Sequence, residues 1–271
     1  MHWRAVVDGQ PLHIKSMHPD AAGYVDVPCA FRAAQAAADL GVGPALLAVD
    51  PKAGVLVMAD VSATHRTGTL DRTHPDAVLG SIIAAKQAFQ RGPALGRPSD
   101  AFAEVERFAG AARAAGASLP QDIAWLLASI AEAGAAIAAC GRDSVPAHGD
   151  GNVSNVLIAE DGSVLLVDWD RAGDMDPFED LGSLLAELAP QEPEARAIFE
   201  RWHGSMDEGL FARANLYGAA DDLRWGLIAA TLAATSPRTS LEFLKFANWR
   251  FLRCRMAVRD PRFPERVRMV R

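Results

Sequence analysis

The chain has 271 residues, of which 50% are hydrophobic and 23% are charged, a composition typical of globular proteins. Its length is sufficient for one large core or two smaller lobes. We find no apolar run near the ~18–20 residues that span a membrane, and no signal-peptide pattern at the N-terminus, so we expect no membrane partner. Cys29, Cys140 and Cys254 are widely spaced and odd in number, which argues against a disulfide framework and favours the cytoplasm.

The formal net charge of −7 is unevenly distributed along the chain. Residues 245–271 contain nine Lys or Arg and two acidic residues. Such a tail is compatible with nucleic-acid binding, but its arginines recur at helical spacing beside Trp249, Phe251, Leu252 and Met256. We therefore predict an amphipathic closing helix with a solvated charged face, and no nucleic-acid partner.

The N-terminal residues predict a small sheet with one helix. Residues 2–17 are typical of a β-hairpin, with the turn signal Asp8-Gly9 between two short strands. Residues 28–40 predict an alanine-rich helix, and a second hairpin is expected around residues 51–54. The polar stretch 60–75 predicts an irregular connector.

The rest of the chain predicts mainly helices. They are expected at about 76–90, 100–115 and 120–140, and again from residue 178 onward, with short strands around residues 145–170. We therefore predict an α+β fold: a small sheet-plus-helix lobe at residues 1–61, a larger and mainly helical lobe at residues 62–271, and an active site between them.

The most informative segment, HGDGNVSNVLIAEDGSVLLVDWD, occupies residues 148–170. It contains Asp150, then Asn155, then Asp168 at the end of an apolar run. Phosphoryl transfer requires a carboxylate that orients the attacking hydroxyl, together with an amide and a second carboxylate that bind Mg²⁺ on the phosphates. The step from Asp150 to Asn155 is also that of the protein-kinase catalytic pattern.

This segment and its sequel DPFEDLG, at residues 176–182, resemble the aminoglycoside phosphotransferase and choline kinase family of small-molecule kinases. The resemblance implies a protein-kinase-like fold. It also implies transfer of the γ-phosphate of ATP or GTP, with Mg²⁺, to a hydroxyl group of a small-molecule acceptor. The oligomeric state stays open.

Asp150 is the predicted base, because a carboxylate beside the substrate hydroxyl orients it and accepts its proton. Asn155 and Asp168 are the predicted Mg²⁺ ligands, since Mg²⁺ completes its shell with water and phosphate. For Asp170 two roles are open: a further metal or outer ligand, or a salt bridge, for example to Arg171.

His148 and Asp180 are predicted to be structural residues near the site. We expect His148 to bind backbone near Asp168 rather than to act as a base or ligand. Asp180 is expected to anchor the catalytic loop by accepting backbone N–H bonds.

The resemblance also implies a nucleotide site. Lys15, in the strand LHIKSM, corresponds to the lysine that contacts the α- and β-phosphates, although a strand lysine is ordinarily a solvent-facing residue. Met58, Asp60 and Val61 correspond to the hinge beside the adenine. Met58 has an alternative interpretation, as an ordinary core residue.

Two features depart from the family pattern. The helix after Lys15 has no glutamate to pair with it, since Ala30 stands about where that acid is expected, so Lys15 is expected to be held less rigidly. A G-x-G-x-x-G loop is absent from the sequence, and the chain begins at the strand HWRAVV. We therefore expect a shortened N-terminal lobe and weak nucleotide affinity.

On the acceptor side, Asp221, Asp222 and Trp225 are candidates for an acidic, aromatic wall that suits a cationic alcohol or an amino sugar. The alternative places Trp225 in the core and both aspartates on a solvated helix face.

Two competing functions remain. A kinase-fold protein that binds ligands without turnover is the first, suggested by the short N-terminus and the missing glutamate. A metal-dependent hydrolase that uses His148 and the aspartates is the second, but the sequence offers no second histidine or acid at metal-ligand spacing.

Overall fold

The computed structural model describes residues 1–74, 76–189, 191–238 and 241–270. Its internal contacts divide the chain into two compact units. The first comprises Met1–Pro98 and Ser144–Asp180, and the second comprises Ser99–Asp143 and Leu181–Arg271. These contact-based units differ from the lobes at residues 1–61 and 62–271, which describe a functional division and stay a prediction.

The first unit begins with an antiparallel sheet in the order β1-β2-β4-β3. Asp8 and Gly9, with φ of 50° and 79°, form the tight turn of the predicted first hairpin, which the β1–β2 pairing confirms. The predicted second hairpin is likewise present as the β3–β4 pair. The strands are β1 (His2–Val7), β2 (Gln10–Ser16), β3 (Leu46–Asp50) and β4 (Val55–Ala59).

Helix α1 (Val27–Asp39) connects the two hairpins, as predicted. The side chain of Asp26 accepts the N–H of Cys29, and Pro28 stands in the first turn, both of which favour a helix start. The buried face of α1 consists largely of alanines, which allow close packing against β3 and against the 3-10 turn Trp169–Arg171.

The remaining elements of the first unit support the loop at residues 148–155. Small antiparallel sheets pair in the orders β5-β7-β8 and β6-β9. The connector at residues 60–75, predicted to be irregular, includes a short strand and a one-turn helix. The elements are β5 (His65–Thr67), α2 (Leu70–Thr73), α3 (Asp76–Gln90), β6 (Val145–Ala147), β7 (Val156–Ala159), β8 (Val164–Leu166) and β9 (Gly173–Met175).

The second unit is helical, as predicted for the late part of the chain. Its long central helix α8 buries most of its residues against α4, α9 and α10, and α6 runs into this unit from the first. The helices are α4 (Ala101–Ala114), α5 (Ile123–Cys140), α6 (Pro177–Leu188), α7 (Glu192–His203), α8 (Glu208–Thr235), α9 (Phe243–Arg259) and α10 (Phe263–Met269).

Among the described residues, α5 is the one helix whose length and composition would allow it to cross a membrane. This corrects the expectation that no apolar run has that length; alanines rather than large apolar residues make up much of the run. Only 28% of its residues are buried. The finding is weak evidence for a membrane, because core helices of soluble proteins meet the same criterion, and α5 packs against α8.

The predicted closing helix is α9, but its buried face differs from the expected one. Arg250 is buried against Asp222, with 2.8 Å between Nη1 and Oδ1, and Arg255 pairs with Asp122. Trp249 and Met256 are instead exposed, at 55% and 65%. The charged face is therefore not simply solvated: internal carboxylates neutralise much of the basic tail.

Candidate functional site

The loop at residues 148–150, called the HGD loop, follows β6 and has a backbone conformation that requires glycine at its centre. Gly149 has φ +72°, and a Cβ there would lie 2.8 Å from both Arg171 O and Met175 Cε. The next residue, Asp150, is half-buried, and its Oδ1 accepts the N–H of Asn152 at 2.8 Å. The loop thus presents a carboxylate held in a defined turn.

His148 is buried behind this loop and binds backbone on both sides. Its Nδ1 lies 2.9 Å from Asp150 O, and its Nε2 lies 2.9 Å from Val167 O. Both partners are backbone carbonyl oxygens, which act only as hydrogen-bond acceptors. The ring therefore connects the backbone of Asp150 to the residue that precedes Asp168.

Lys15 is buried and lies between two carboxylates. Its Nζ donates to Asp168 Oδ1 at 2.8 Å and to Asp170 Oδ1 at 2.6 Å. The expectation that Lys15 is loosely held is therefore wrong: the aspartates after β8 replace a helix glutamate as its partners. Of the two roles open for Asp170, the structure shows a salt bridge, but to Lys15; Arg171 donates to Tyr24 O.

The three charges determine one another's protonation. Burial raises the pKa of Asp170 to about 6, with a further contribution from the negative charge of Asp168. Burial also opposes ionisation of Asp168, but Lys15 outweighs it and lowers the pKa of that carboxyl. Two close carboxylates that share one ammonium form a site that suits a cation.

The donor set suits Mg²⁺. Asn155 ends the 3-10 turn after the HGD loop, and its backbone O accepts the N–H of Val167, which places it beside Asp168. Within the described ranges, no group of three or more His, Cys, Asp or Glu is placed to hold a metal ion. Mg²⁺ needs only one or two carboxylates, because water and phosphate complete its shell. Asn155, Asp168 and Asp170 therefore fit the ion.

A cavity of about 580 Å³ in the first unit contains the residues predicted for nucleotide binding. Lys15, Asn155 and Asp168 line it near the cation site. Its lining also includes Met58, Ala59, Asp60, Val61 and Ser62 from the end of β4 and the segment after it. One backbone donor of this segment is already hydrogen-bonded, because the N–H of Asp60 donates to Pro11 O.

Sequence analysis missed part of this cavity. His2 and Arg4 of β1 and His13 of β2 also line it. The signal was present: strand alternation places His13 on the same face as Lys15, and the β1–β2 register pairs His2 with Lys15 and Arg4 with His13. The face of the sheet over the cavity therefore carries two histidines beside Arg4 and Lys15.

Two buried side chains hold the HGD loop in place: Asp180, and Lys86, which sequence analysis did not consider. The Oδ1 of Asp180 accepts the N–H of Gly149 at 3.0 Å, which is the kind of contact expected of this residue. Lys86 of α3 donates to the same Oδ1 at 2.7 Å and to Asp150 O at 2.9 Å.

The predicted acceptor residues have a different environment from the expected one. Asp221 and Asp222 are buried in the second unit, where they pair with Arg224 and Arg250 respectively. They form neither an acidic wall nor a solvated face, because arginines neutralise them within the helix bundle. Trp225 is half-buried, and its ring is nearly perpendicular to that of Phe246. We therefore do not assign the two aspartates to an acceptor site.

Residues 4–217 match the model of the phosphotransferase enzyme family. The chain belongs to that family. No curated protein matches the sequence. The protein-kinase-like α+β fold predicted from the sequence is confirmed by the structures that this phosphotransferase-family chain resembles.

A choline/ethanolamine kinase family protein from Mesorhizobium loti has a TM-score of 0.82 and 22% identity, covering 100% of this chain and 92% of that one. Choline kinase LicA from Streptococcus pneumoniae has a TM-score of 0.79 and 15% identity, over 95% and 89% of the two chains. A thermostable aminoglycoside phosphotransferase mutant, APH(4)-Ia, was solved with ADP and hygromycin B. It has a TM-score of 0.62 and 18% identity, over 96% and 90%.

Proposed function

We propose that this protein transfers the γ-phosphate of a nucleoside triphosphate, with Mg²⁺, to a hydroxyl group of a small molecule. The observation that carries the proposal is the cluster of Lys15, Asp168 and Asp170 in and beside the cavity, with Asn155 next to it. One ammonium, two carboxylates and an amide are the groups that bind phosphates and their metal ion.

The nucleotide is assigned to the 580 Å³ cavity. Its base would lie toward Met58, Asp60 and Val61, and its phosphates toward Lys15 and the aspartates. Two proteins of similar fold were crystallised with nucleotides: LicA with AMP and APH(4)-Ia with ADP. ATP and GTP are both candidates for this nucleotide.

Asn155, Asp168 and Asp170 would hold Mg²⁺, which neutralises charge on the phosphates when bound. Lys15 would then leave part of its contact with the carboxylates and donate to phosphate oxygens. The buried position of Lys15 strengthens that contact, because charge interactions weaken with exposure to water.

Asp150 would orient the acceptor hydroxyl and accept its proton as the phosphoryl group is transferred. The loop geometry supports this role, because the backbone on both sides of the side chain is held by His148, Lys86 and Asp180. A positioned base typically contributes 10²–10⁴-fold to the rate.

The acceptor is proposed to be a small alcohol, and similarity to a choline/ethanolamine kinase family protein and to an aminoglycoside phosphotransferase favours a cationic alcohol or an amino sugar. Since Asp221 and Asp222 are paired with arginines, other groups must recognise a positive charge on the acceptor.

A thermal-shift screen tests this function. Mg·ATP and Mg·GTP are each added with and without choline, ethanolamine and aminoglycosides, and ADP or GDP formation is measured in the mixtures that shift. A ligand at ~100 times its Kd stabilises the protein by ~2.7 kcal/mol. Stabilisation by one nucleotide together with acceptor-dependent turnover supports the proposal. Binding without turnover for any acceptor favours a ligand-binding protein instead.

A further inference from the structure

Helix α3 carries a lysine on its buried face. Lys86 is 2% exposed, among the apolar residues Ile82, Ile83 and Phe89 of the same helix. Removing an ammonium from water costs several kcal/mol unless it is paired and hydrogen-bonded. A lysine at this position is therefore justified only by the particular groups that it contacts.

Those groups belong to the catalytic loop and its anchor. Lys86 Nζ donates to Asp150 O at 2.9 Å and to Asp180 Oδ1 at 2.7 Å, and the same Oδ1 accepts the N–H of Gly149 at 3.0 Å. The N–H of Gly149 and the C=O of Asp150 are thus both hydrogen-bonded, so the backbone torsions between them are restricted.

Two more contacts complete this arrangement. Gln90, one turn after Lys86 on α3, donates to Asp180 Oδ2 at 3.2 Å and so orients the carboxylate. His148 Nδ1 lies 2.9 Å from the same Asp150 O that Lys86 binds. Lys86 does not line the nucleotide cavity. Its contacts are directed at the loop and not at the phosphates.

We propose that Lys86 is a positioning residue for phosphoryl transfer, which fixes the backbone of Asp150 so that its carboxylate meets the acceptor hydroxyl. The inference rests on the proposed role of Asp150 as base. Lys86 touches no reacting atom in this account; it acts through Asp150 O and Asp180. Misplacing a reactive group by about 1 Å can cost ~10²-fold in rate. Loss of the Lys86 contact is therefore expected to lower the rate measurably.

A purely structural role makes a different forecast. If Lys86 only neutralises Asp180, its loss lowers the free energy of unfolding, while the folded fraction turns over normally. If it positions Asp150, the folded protein keeps its nucleotide affinity but loses kcat. The kcat of the folded protein, measured separately from its nucleotide Kd, therefore distinguishes the two roles.

The experiment compares Lys86→Met, Lys86→Gln and the double variant Lys86→Met/Asp180→Asn with wild type. Lys86→Met alone leaves a buried carboxylate without its cation, so the double variant, which removes both charges, guards against unfolding. Lys86→Gln keeps an N–H donor and serves as the conservative variant. Lys52→Met, at an exposed turn outside the site, is the matched control.

We expect kcat to fall by about 10–100-fold in Lys86→Met and in the double variant, less in Lys86→Gln, and not in Lys52→Met, with nucleotide Kd within about twofold throughout. Unchanged kcat in a folded Lys86→Met or double variant overturns the inference. The inference is also overturned if nucleotide Kd rises by the same factor by which kcat falls. A wild type with no transfer to any acceptor refutes the proposed function, and this inference with it.

Discussion

Lys15 Nζ lies 2.6 Å from Asp170 Oδ1, and the whole pair is largely buried. With Asp168 at 2.8 Å, the lysine places its ammonium against both carboxylates that are proposed to bind Mg²⁺. A divalent cation must therefore compete with an internal cation for the same oxygens, unless phosphate draws the lysine away.

Replacing Lys15 by methionine should tighten binding of Mn²⁺, a spectroscopic substitute for Mg²⁺, in the absence of nucleotide. Removing a contacting charge from a mostly buried pair is worth at least about tenfold in affinity. The same variant should lose nucleotide affinity, because the phosphates lose a donor. Mn²⁺ binding is measured by electron paramagnetic resonance.

Arg4→Met is the control for this experiment, because Arg4 lines the cavity without a salt bridge to either carboxylate. Equal tightening in both variants would mean that the general positive potential, and not the Lys15 contact, opposes the metal.

Asp168→Ala should abolish binding of Mg·nucleotide, whereas Asn155→Ala should only weaken it. The carboxylate carries a full charge, and the amide oxygen carries none. In Asp168→Ala, Lys15 keeps Asp170 as a partner, so the fold is expected to survive. Calorimetric titration of Mg·ATP or Mg·GTP measures both effects. Full affinity in Asp168→Ala would exclude this residue from the metal site.

Asp222 should make stability depend on pH. Burial raises its pKa from 3.8 to about 6, although Arg253 and Arg250 act in the opposite direction. Because the folded pKa exceeds the unfolded one, the folded state binds the proton more tightly. The stabilisation is complete below pH 3.8 and is lost, by up to ~3 kcal/mol, as the pH rises through 6.

Urea unfolding of wild type and Asp222→Asn at pH 4.5, 6 and 7.5 tests this. Asparagine does not ionise, so the stability of the variant relative to wild type should increase mainly between pH 4.5 and 6 and level off toward pH 7.5. Exposed Asp143→Asn is the control and should show no such trend. Parallel pH curves for wild type and Asp222→Asn would contradict the account.

The elements that the sequence predicted well have local signals. Asp8-Gly9 requires a turn with positive φ, and Asp26 with Pro28 marks a helix start; both appear where expected. Strand β5 and helix α2 were missed because three or four residues are too few to show a period.

The failures concern long-range partners, which sequence spacing does not encode. Helical periodicity identified α9 but not its buried face, because Arg250 reaches Asp222 on another helix. The HGD and Asp168 motif was evident, yet the partner of Lys15 was sought on α1 and found at Asp170 instead. Lys86 has no distinguishing signal in the sequence, and its contact with Asp150 O appears only in the structure.

The most direct test of the central claim uses the nucleotide and acceptor that the thermal-shift screen identifies. Mass spectrometry follows the acceptor during incubation with wild type and with Asp150→Asn, while nucleotide Kd is measured in parallel. We predict that wild type adds one phosphate to the acceptor, and that Asp150→Asn is slower by at least ~10²-fold at unchanged Kd. An acceptor that gains no phosphate from wild type, or an Asp150→Asn rate within tenfold of wild type, would contradict the account.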